Sequence, residues 1–230
     1  MNMTYSIIIP VLNESEIINQ SIKNILKVNN GYEIEIIVVD GDMNGNTVNA
    51  IENKNVIKII SGRGRGKQMN AGAFAARGDV LIFLHADTEF LEGAFELINS
   101  LIFRKMCDCG SFSLGIKSSK VIFRLIEKMV YLRTKLTNIP YGDQTFFIKR
   151  DKFIQLGGFA DIPIMEDIEF MRRAKKSGLK VCILPQKVLT SARRWNEEGI
   201  IYNTVRNWIL ATLYFTGVKP EKLERFYYKH

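Results

Sequence analysis

Asp79-Val80-Leu81-Ile82-Phe83-Leu84-His85-Ala86-Asp87-Thr88-Glu89 is the stretch whose reading decides the fold. Five consecutive apolar residues, rich in β-formers and opened by Gly78-Asp79, predict a strand buried on both faces. The run stops at His85-Ala86-Asp87, where alternate residues of an extended chain put the imidazole and the carboxylate on the same side. In an open α/β sheet, ligands bind just past the carboxyl ends of the strands, which makes this pair a candidate site. A carboxylate there is placed to hold Mg²⁺ or Mn²⁺ against a substrate diphosphate, because magnesium usually takes only one or two protein carboxylates. The competing structural reading is that Asp87-Thr88 caps a helix beginning near Leu91.

Working outward, the segments before this strand alternate in type. Tyr5–Pro10 reads as a strand, and Asn13 as the N-cap of a helix carrying Ile17, Ile18, Ile22, Ile25 and Leu26 at helical spacing. Ile34–Val39 is a second strand, ending at Asp40-Gly41-Asp42, and Val56–Ile60 a third. Ser61-Gly62-Arg63-Gly64-Arg65-Gly66-Lys67 then leads into a helix holding Met69, Ala71, Ala73 and Phe74. This alternation predicts an α/β fold, a Rossmann-like three-layer sandwich with a mostly parallel central sheet flanked by helices. Beyond the Ala94–Phe103 helix the pattern changes. Strands are expected at Gly110–Ile116, Gln144–Lys149 and Val181–Leu184. Helices are expected at Val121–Leu136, at Asp167–Ser177 (closed by Gly178) and at Gly199–Thr216. With no linker, low-complexity tract or repeat, one domain over 1–230 is the expectation. It would comprise a first half to about residue 90, a second from about 91 to 198, and C-terminal helices over 199–230.

The 230 residues suffice for one sizeable core, and 47% hydrophobic with 24% charged residues is ordinary for a globular chain. No stretch has the 18 or more apolar residues of a membrane span, and the N-terminal apolar run is short and broken by Pro10. Cys107, Cys109 and Cys182 lack zinc-like spacing and read as reduced thiols, which fits the cytoplasm. A formal charge of +8 predicts attraction to something anionic: nucleotide phosphates, nucleic acid or a membrane surface.

Four acidic sites stand where strands end or helices begin: Asp40, Asp42, Asp87 and the pair Glu166-Asp167. Singly, each reads equally as a cap or a surface charge. Together, Ile7–Glu14, Val38–Thr47, His85–Asp87 and Glu166–Arg173 resemble the signature of glycosyltransferase family 2, inverting enzymes with the GT-A fold. The resemblance runs from about Ser6 to Trp195. Arg65-Gly66-Lys67-Gln68-Met69-Asn70-Ala71-Gly72-Ala73 and Phe83-Leu84-His85-Ala86-Asp87-Thr88 look closer still to small bacterial members with His-Ala-Asp at the metal motif.

The resemblance implies roles, residue by residue. Pro10, Asn13 and Glu14 would shape the turn against which a nucleotide base and ribose lie. Asp40 would accept a hydrogen bond from the donor's uracil or ribose. Asp87 would hold Mg²⁺ or Mn²⁺ and neutralise charge on the departing diphosphate. His85 stands where an Asp is usual, and neutral imidazole suits Mn²⁺ or a ribose hydroxyl. Asp167 would be the general base toward the acceptor hydroxyl, with Glu166 beside it raising its pKa. The donor would be a nucleotide-diphosphate sugar, a UDP-sugar first, and the acceptor a hydroxyl compound, lipid-linked acceptors included. No nucleic-acid partner is expected.

Three segments stay open on residue evidence. Arg63-Gly64-Arg65-Gly66-Lys67 reads as a phosphate cradle using Arg65 or Lys67, as a solvated loop, or as an RNA-contacting tract. Ser191-Ala192-Arg193-Arg194-Trp195 resembles the Q-x-x-R-W motif of processive members with Ser for Gln. Arg193 or Arg194, with Arg194 preferred, would clamp the diphosphate, or the pair is a salt-bridged surface feature. Helices 121–136 and 199–216 combine apolar stripes with basic residues, which core packing explains. Peripheral contact with the inner face of an anionic membrane is the sharper alternative. The tail from Tyr227 to His230 is uninformative. Two rival classes remain. A sugar-1-phosphate nucleotidyltransferase would carry a glycine-rich loop where Pro10-Val11-Leu12-Asn13-Glu14 stands. A non-catalytic basic module for nucleotide or membrane would not depend on Asp87 or Asp167.

Overall fold

The computed structural model describes residues 3–227. Its elements run β1 (Tyr5–Val11), α1 (Ile18–Val28), β2 (Ile34–Asp40), α2 (Asn46–Asn49), β3 (Ile57–Ile60), α3 (Arg65–Ala75), β4 (Val80–Phe83) and β5 (Thr88–Glu89). There follow α4 (Ala94–Phe103), β6 (Cys109–Lys117), α5 (Val121–Thr137), a 3₁₀ turn at Gly142–Gln144, β7 (Phe146–Lys149), α6 (Arg150–Gln155) and α7 (Glu166–Lys176). The chain then forms β8 (Val181–Ser191), α8 (Arg193–Glu198), α9 (Ile200–Phe215) and α10 (Pro220–Tyr227). The strands form one mixed sheet in the order β3-β2-β1-β4-β7-β6-β8-β5.

Strand side chains alternate between faces, and here both faces are covered. Ile7, Ile9, Val38, Val80 and Ile82 pack against Ile18, Ile22 and Ile25 of α1 and Phe95, Ile98 and Ile102 of α4. Ile8, Ile37, Val39, Leu81 and Phe83 pack on the opposite side against Met69 and Ala73 of α3 and Phe153, Ile168 and Phe170 of α6 and α7. That is the expected three-layer sandwich, and each such buried side chain contributes about 1.5–3 kcal/mol. Gly72 sets the distance between α3 and the sheet: a Cβ there would stand 2.6 Å from Ile8 Cγ2. Any side chain at this position pushes α3 away from Ile8 and Val39 of the sheet.

Topology then fixes where a site can form. β1 pairs in parallel with β2 on one side and β4 on the other, so chain order reverses at the carboxyl ends of β1 and β4. β7 runs antiparallel to β4, with Phe83 opposite Phe146. The 3₁₀ turn just before β7 therefore lands on the same edge as the exit of β4. Sequence periodicity alone did not predict this reversal within a largely parallel half.

Local expectations differ from the structure at several points. Asn13 is not an N-cap: it adopts φ 58°, and α1 starts at Ile18 without a side-chain cap. Asp87-Thr88 does not cap the next helix either. Thr88-Glu89 pairs with Thr190-Leu189 as an edge strand, and α4 follows Gly93. His85–Asp87 forms a turn closed by Thr88 N–H donating to His85 O (3.1 Å), rather than extended chain. The strand expected at Val181–Leu184 continues to Ser191, because β6 offers a parallel partner along nearly its whole length. The short helices α2, α6, α8 and α10 lack the span that periodicity needs. Tyr228, Lys229 and His230 lie outside the described residues. The cysteines are free thiols, with Cys107 and Cys109 buried.

Candidate active site

Above the carboxyl ends of β1 and β4 lies a pocket bordered by Pro10, Arg65, His85, Gly142, Glu166 and Asp167. Its floor is aromatic: Phe83, Phe146 and Phe159 meet with ring centroids 5.0–6.5 Å apart. Residues from five stretches converge here.

Asp167 stands in the first turn of α7, where the helix dipole favours a carboxylate. Gly142 N–H donates to its Oδ2 (2.6 Å) and Ile168 N–H to its Oδ1 (2.7 Å). Two amides fix its orientation while leaving lone pairs for a substrate. A Cβ built on Gly142 would be in contact with both Asp167 Oδ2 and His85 Nε2, at 3.4 Å from each. That shared distance shows that Asp167 and His85, 82 residues apart in sequence, border one space. Burial, then the guanidinium charges of Arg65 and Arg194, hold the His85 imidazole down to about 3. It is neutral at physiological pH, able to accept or donate one hydrogen bond and to serve as a ligand.

Glu166 borders the same cleft from a buried position. It is nearly inaccessible, lies over Gly66, and pairs loosely with Arg65 (Nη1–Oε1 3.9 Å). Burial pushes its carboxyl up to about 7; the Asp167 charge adds to this and Arg65 opposes it. Asp143, in the turn before β7, belongs to Gly142-Asp143-Gln144, a stretch the sequence places on the acceptor side without assigning this carboxylate a role. Burial raises its carboxyl to about 6 against the pull of Arg133, with Asp167 adding, and its Oδ1 has no hydrogen-bond partner. An acidic residue within Pro140-Tyr141-Gly142-Asp143-Gln144, a turn ahead of a strand, was the available signal. Arg65 acts on His85, Asp87, Asp143 and Glu166 alike, so it is the cation around which the cleft is arranged.

Asp87 is half-buried on the other side of the β4 exit. Its backbone carbonyl accepts from Ser191 N–H (3.1 Å). Burial, then Glu14, raises its carboxyl, opposed by Arg193 and Arg65. The turn at 85–87 thus sends the imidazole toward Gly142 and Asp167, and the carboxylate toward Glu14 and Arg193, instead of placing both on one side. Glu14 pairs with Arg193 through Oε1 (2.6 Å), while its Oε2 is buried without a partner. Arg193 therefore reaches the strand exit. Arg194 instead pairs with Glu198 (3.0 Å), with its guanidinium 4.4 Å above the Tyr227 ring.

Two expected donor contacts are placed elsewhere. Asp40 is fully buried, and its carboxylate accepts three backbone amides: Thr47 (2.8 Å), Val48 (3.1 Å) and Asp42 (3.0 Å). It caps α2, which has no cap of its own, and so has no exposed atom to offer a base or ribose. Its effect passes through Thr47, whose hydroxyl accepts from Glu14 N–H (3.1 Å) and so sets the turn after β1. Lys67 points to the surface and pairs with Asp161 (3.4 Å), both exposed, away from the cleft. Pro10 borders the pocket just past the β4 pairing, which ends at Ile8. Asn13 supplies left-handed backbone to the turn.

This edge-of-sheet cleft, with basic residues and carboxylates over the topological switch, defines an α/β protein of the GT-A fold. Residues 6–160 match the family described as Glycosyl transferase family 2, and the chain belongs to that family. It is 26% identical over 222 residues to "Probable glycosyltransferase YdaM" of Bacillus subtilis (strain 168), covering 84% of this chain and 50% of that relative. The chain thus spans about half the length of the curated relative it matches. Among solved structures, S. aureus TarS 1–349 superposes with TM-score 0.62 at 15% identity, over 97% of this chain and 69% of that one. TarS in complex with UDP-GlcNAc gives 0.63 at 16%, over 82% and 58%. The mannosyltransferase PcManGT from Pyrobaculum calidifontis, in complex with GDP-Man and Mn²⁺, gives 0.61 at 18%, over 96% and 67%.

Proposed function

We propose that this protein is an inverting glycosyltransferase that moves a sugar from a nucleotide-diphosphate donor, a UDP-sugar by preference, to a hydroxyl acceptor. The observation that carries the reading is the shared space between Asp167 and His85 at the exit of β4, with Asp87 at the far end of the same turn. Fold relatives bound to UDP-GlcNAc, and to GDP-Man with Mn²⁺, support the donor class.

In this mechanism Asp167 accepts the proton of the acceptor hydroxyl as that oxygen attacks the anomeric carbon. The bond to the nucleotide diphosphate breaks on the opposite face, and the electron pair leaves with the phosphate. The amides of Gly142 and Ile168 keep the carboxylate aimed, so little reorientation is needed at the moment of transfer. Arg65 and Arg193, whose charges both act on Asp87, would meet the leaving charge. Neutral His85 hydrogen-bonds the donor and does not supply a proton at neutral pH. Glu166 holds Arg65 in place. The first half of the chain, to about residue 90, takes the donor, and residues 91–198 take the acceptor.

Among the described residues, no three His, Cys, Asp or Glu side chains form a chelating group. Asp87, with the unpartnered Glu14 Oε2 alongside, does fit a cation completed by the donor's own phosphates, which is how Mg²⁺ is ordinarily held. Such an Mg²⁺ or Mn²⁺ would add charge neutralisation of the diphosphate.

The test is a thermal-shift panel of UDP, GDP and their sugars, with and without Mn²⁺, followed by NMR assignment of the product anomer. We expect the largest stabilisation from uridine ligands with Mn²⁺, by mass action, and inversion at the anomeric carbon. Absence of any nucleotide-dependent shift, or a retained anomer, defeats the proposal.

A further inference from the structure

Two helices bury polar side chains alongside apolar ones and leave further large apolar residues exposed. On α5 the buried residues include Glu127 and Thr134, while Val121, Leu125, Leu132 and Leu136 are 55–82% exposed. Glu127, the helix's single acid, is withdrawn beneath this face and bound to Ile116 N–H, Arg124 and Lys187. The charges left on the outer surface are the cations Lys128 and Lys135. On α9 the buried side includes Asn203 and Arg206, and the outer side presents Ile201, Tyr202, Val205, Trp208, Ile209 and Leu213. No acidic residue stands on α9.

The two helices are tied to common neighbours at both ends. At the start of α9, Ile200 joins the cluster of Phe123, Ile126 and Val130 on α5. At the far ends, Lys175 Nζ donates to Thr137 O (3.0 Å), while Arg172 lies over the rings of Tyr214 (5.8 Å) and Phe215 (5.6 Å). Between them opens a basin lined by Arg172, Lys175, Lys176 and the Glu169-paired Arg173. Exposed apolar residues, Trp and Tyr at the boundary, and unopposed cations in the gap are the features of a protein surface that sits in a lipid headgroup layer. No helix of the described residues is long and apolar enough to cross a membrane.

We propose that the outer faces of α5 and α9, with the basin of Arg172, Lys175 and Lys176 between them, dock on an anionic phospholipid bilayer. The apolar side chains enter the headgroup layer and the basin takes lipid phosphates. The proposal goes beyond glycosyl transfer and does not require it. If Asp167 is the base, the same helix α7 joins it to Arg172 and Lys176, so docking turns the acceptor side toward the bilayer.

The experiment is vesicle co-sedimentation of the full chain, without donor, so that its outcome is independent of the transfer reaction. Vesicles are pure phosphatidylcholine, or phosphatidylcholine with roughly one-third phosphatidylglycerol. We expect strong association with the anionic vesicles alone, weakening in salt. Leu125→Asp with Leu132→Asp lowers it more than about tenfold. Arg172→Gln and Lys176→Gln each lower it about fivefold. These positions are exposed, and an unchanged melting temperature shows that the variants fold. Three results overturn the proposal. The first is no association with either vesicle. The second is association that both sets of variants leave untouched. The third is a concentration-dependent dimer, broken by the leucine variants, in a protein that ignores vesicles, which would assign the face to a second copy.

Discussion

The two rims of the cleft are built on opposite principles. On the rim made by the exits of β1 and β2, buried polar groups are saturated. Asp40 holds three amides, and Gln68 Nε2 donates to Val11 O (2.7 Å) and Val39 O (2.9 Å). Asn70 exchanges two 2.8 Å hydrogen bonds with Phe159. The exceptions are Glu14 Oε2, beside Asp87, and the left-handed backbone of Asn13 (φ 58°). On the rim made by the 142–145 turn and the start of α7, Asp143 Oδ1, Thr145 Oγ1 and Arg133 Nε lack partners. Thr145 (φ 47°) and Met165 (φ 68°) are held in left-handed backbone that favours glycine. Saturation fixes a shape, whereas unsatisfied and strained groups keep capacity for a ligand. The contrast shows where the fold is held rigid and where chemistry is kept available.

This comparison can be broken by substitution. Asp40→Asn replaces an acceptor by an amide group facing three N–H donors. We expect a loss of about 3 kcal/mol or more in urea unfolding. An unchanged midpoint would show that the saturated rim holds nothing. The second effect is a pH slope from the other rim. Folding keeps the Glu166 proton to about pH 7, whereas the unfolded chain releases it near its ordinary value of 4.5. Its contribution is full below 4.5 and is lost as pH rises through 7, so stability falls across that window, by at most about 1.4 kcal/mol per pH unit. Asp143, raised to about 6, acts in the same sense. Glu166→Gln should flatten the slope, and parallel curves for the two proteins would contradict the assignment.

Gln68→Leu strips donors from two strand-end carbonyls and should cost about 2 kcal/mol, read as a lower melting temperature. The smallest effect has the opposite sign. Thr145→Gly relieves a buried unpaired hydroxyl and a β-branched residue at φ 47°, and should stabilise by about 1 kcal/mol while lowering turnover. Destabilisation there would erase the contrast between the rims.

Much of the fold was readable because both of its periods are strong. The apolar runs at Ile7–Ile9, Ile36–Val39 and Val80–Leu84 are short and rich in β-formers, which marks them as buried strands, and the helices between them carry apolar stripes. Asp167, His85 and Asp87 were legible as acidic or aromatic punctuation at element ends. What stayed hidden depends on partners distant in sequence. Asp40 looks like a ligand group until Thr47 and Val48 are seen to occupy it. Arg193, not Arg194, meets Glu14 because of a contact spanning 179 residues. Asp143 shares the cleft only because β7 runs antiparallel to β4. The 11-residue β8 follows from a partner in β6 that no local pattern in 181–191 reveals.

The most direct test of the central claim, that one cleft joins donor and base, is Asp167→Asn measured for both turnover and donor affinity. The account predicts a turnover loss of about 10²–10⁴-fold with the Kd for the donor nucleotide nearly unchanged. Turnover within a few fold of the parent protein, or a donor affinity that falls in step with it, would contradict the assignment.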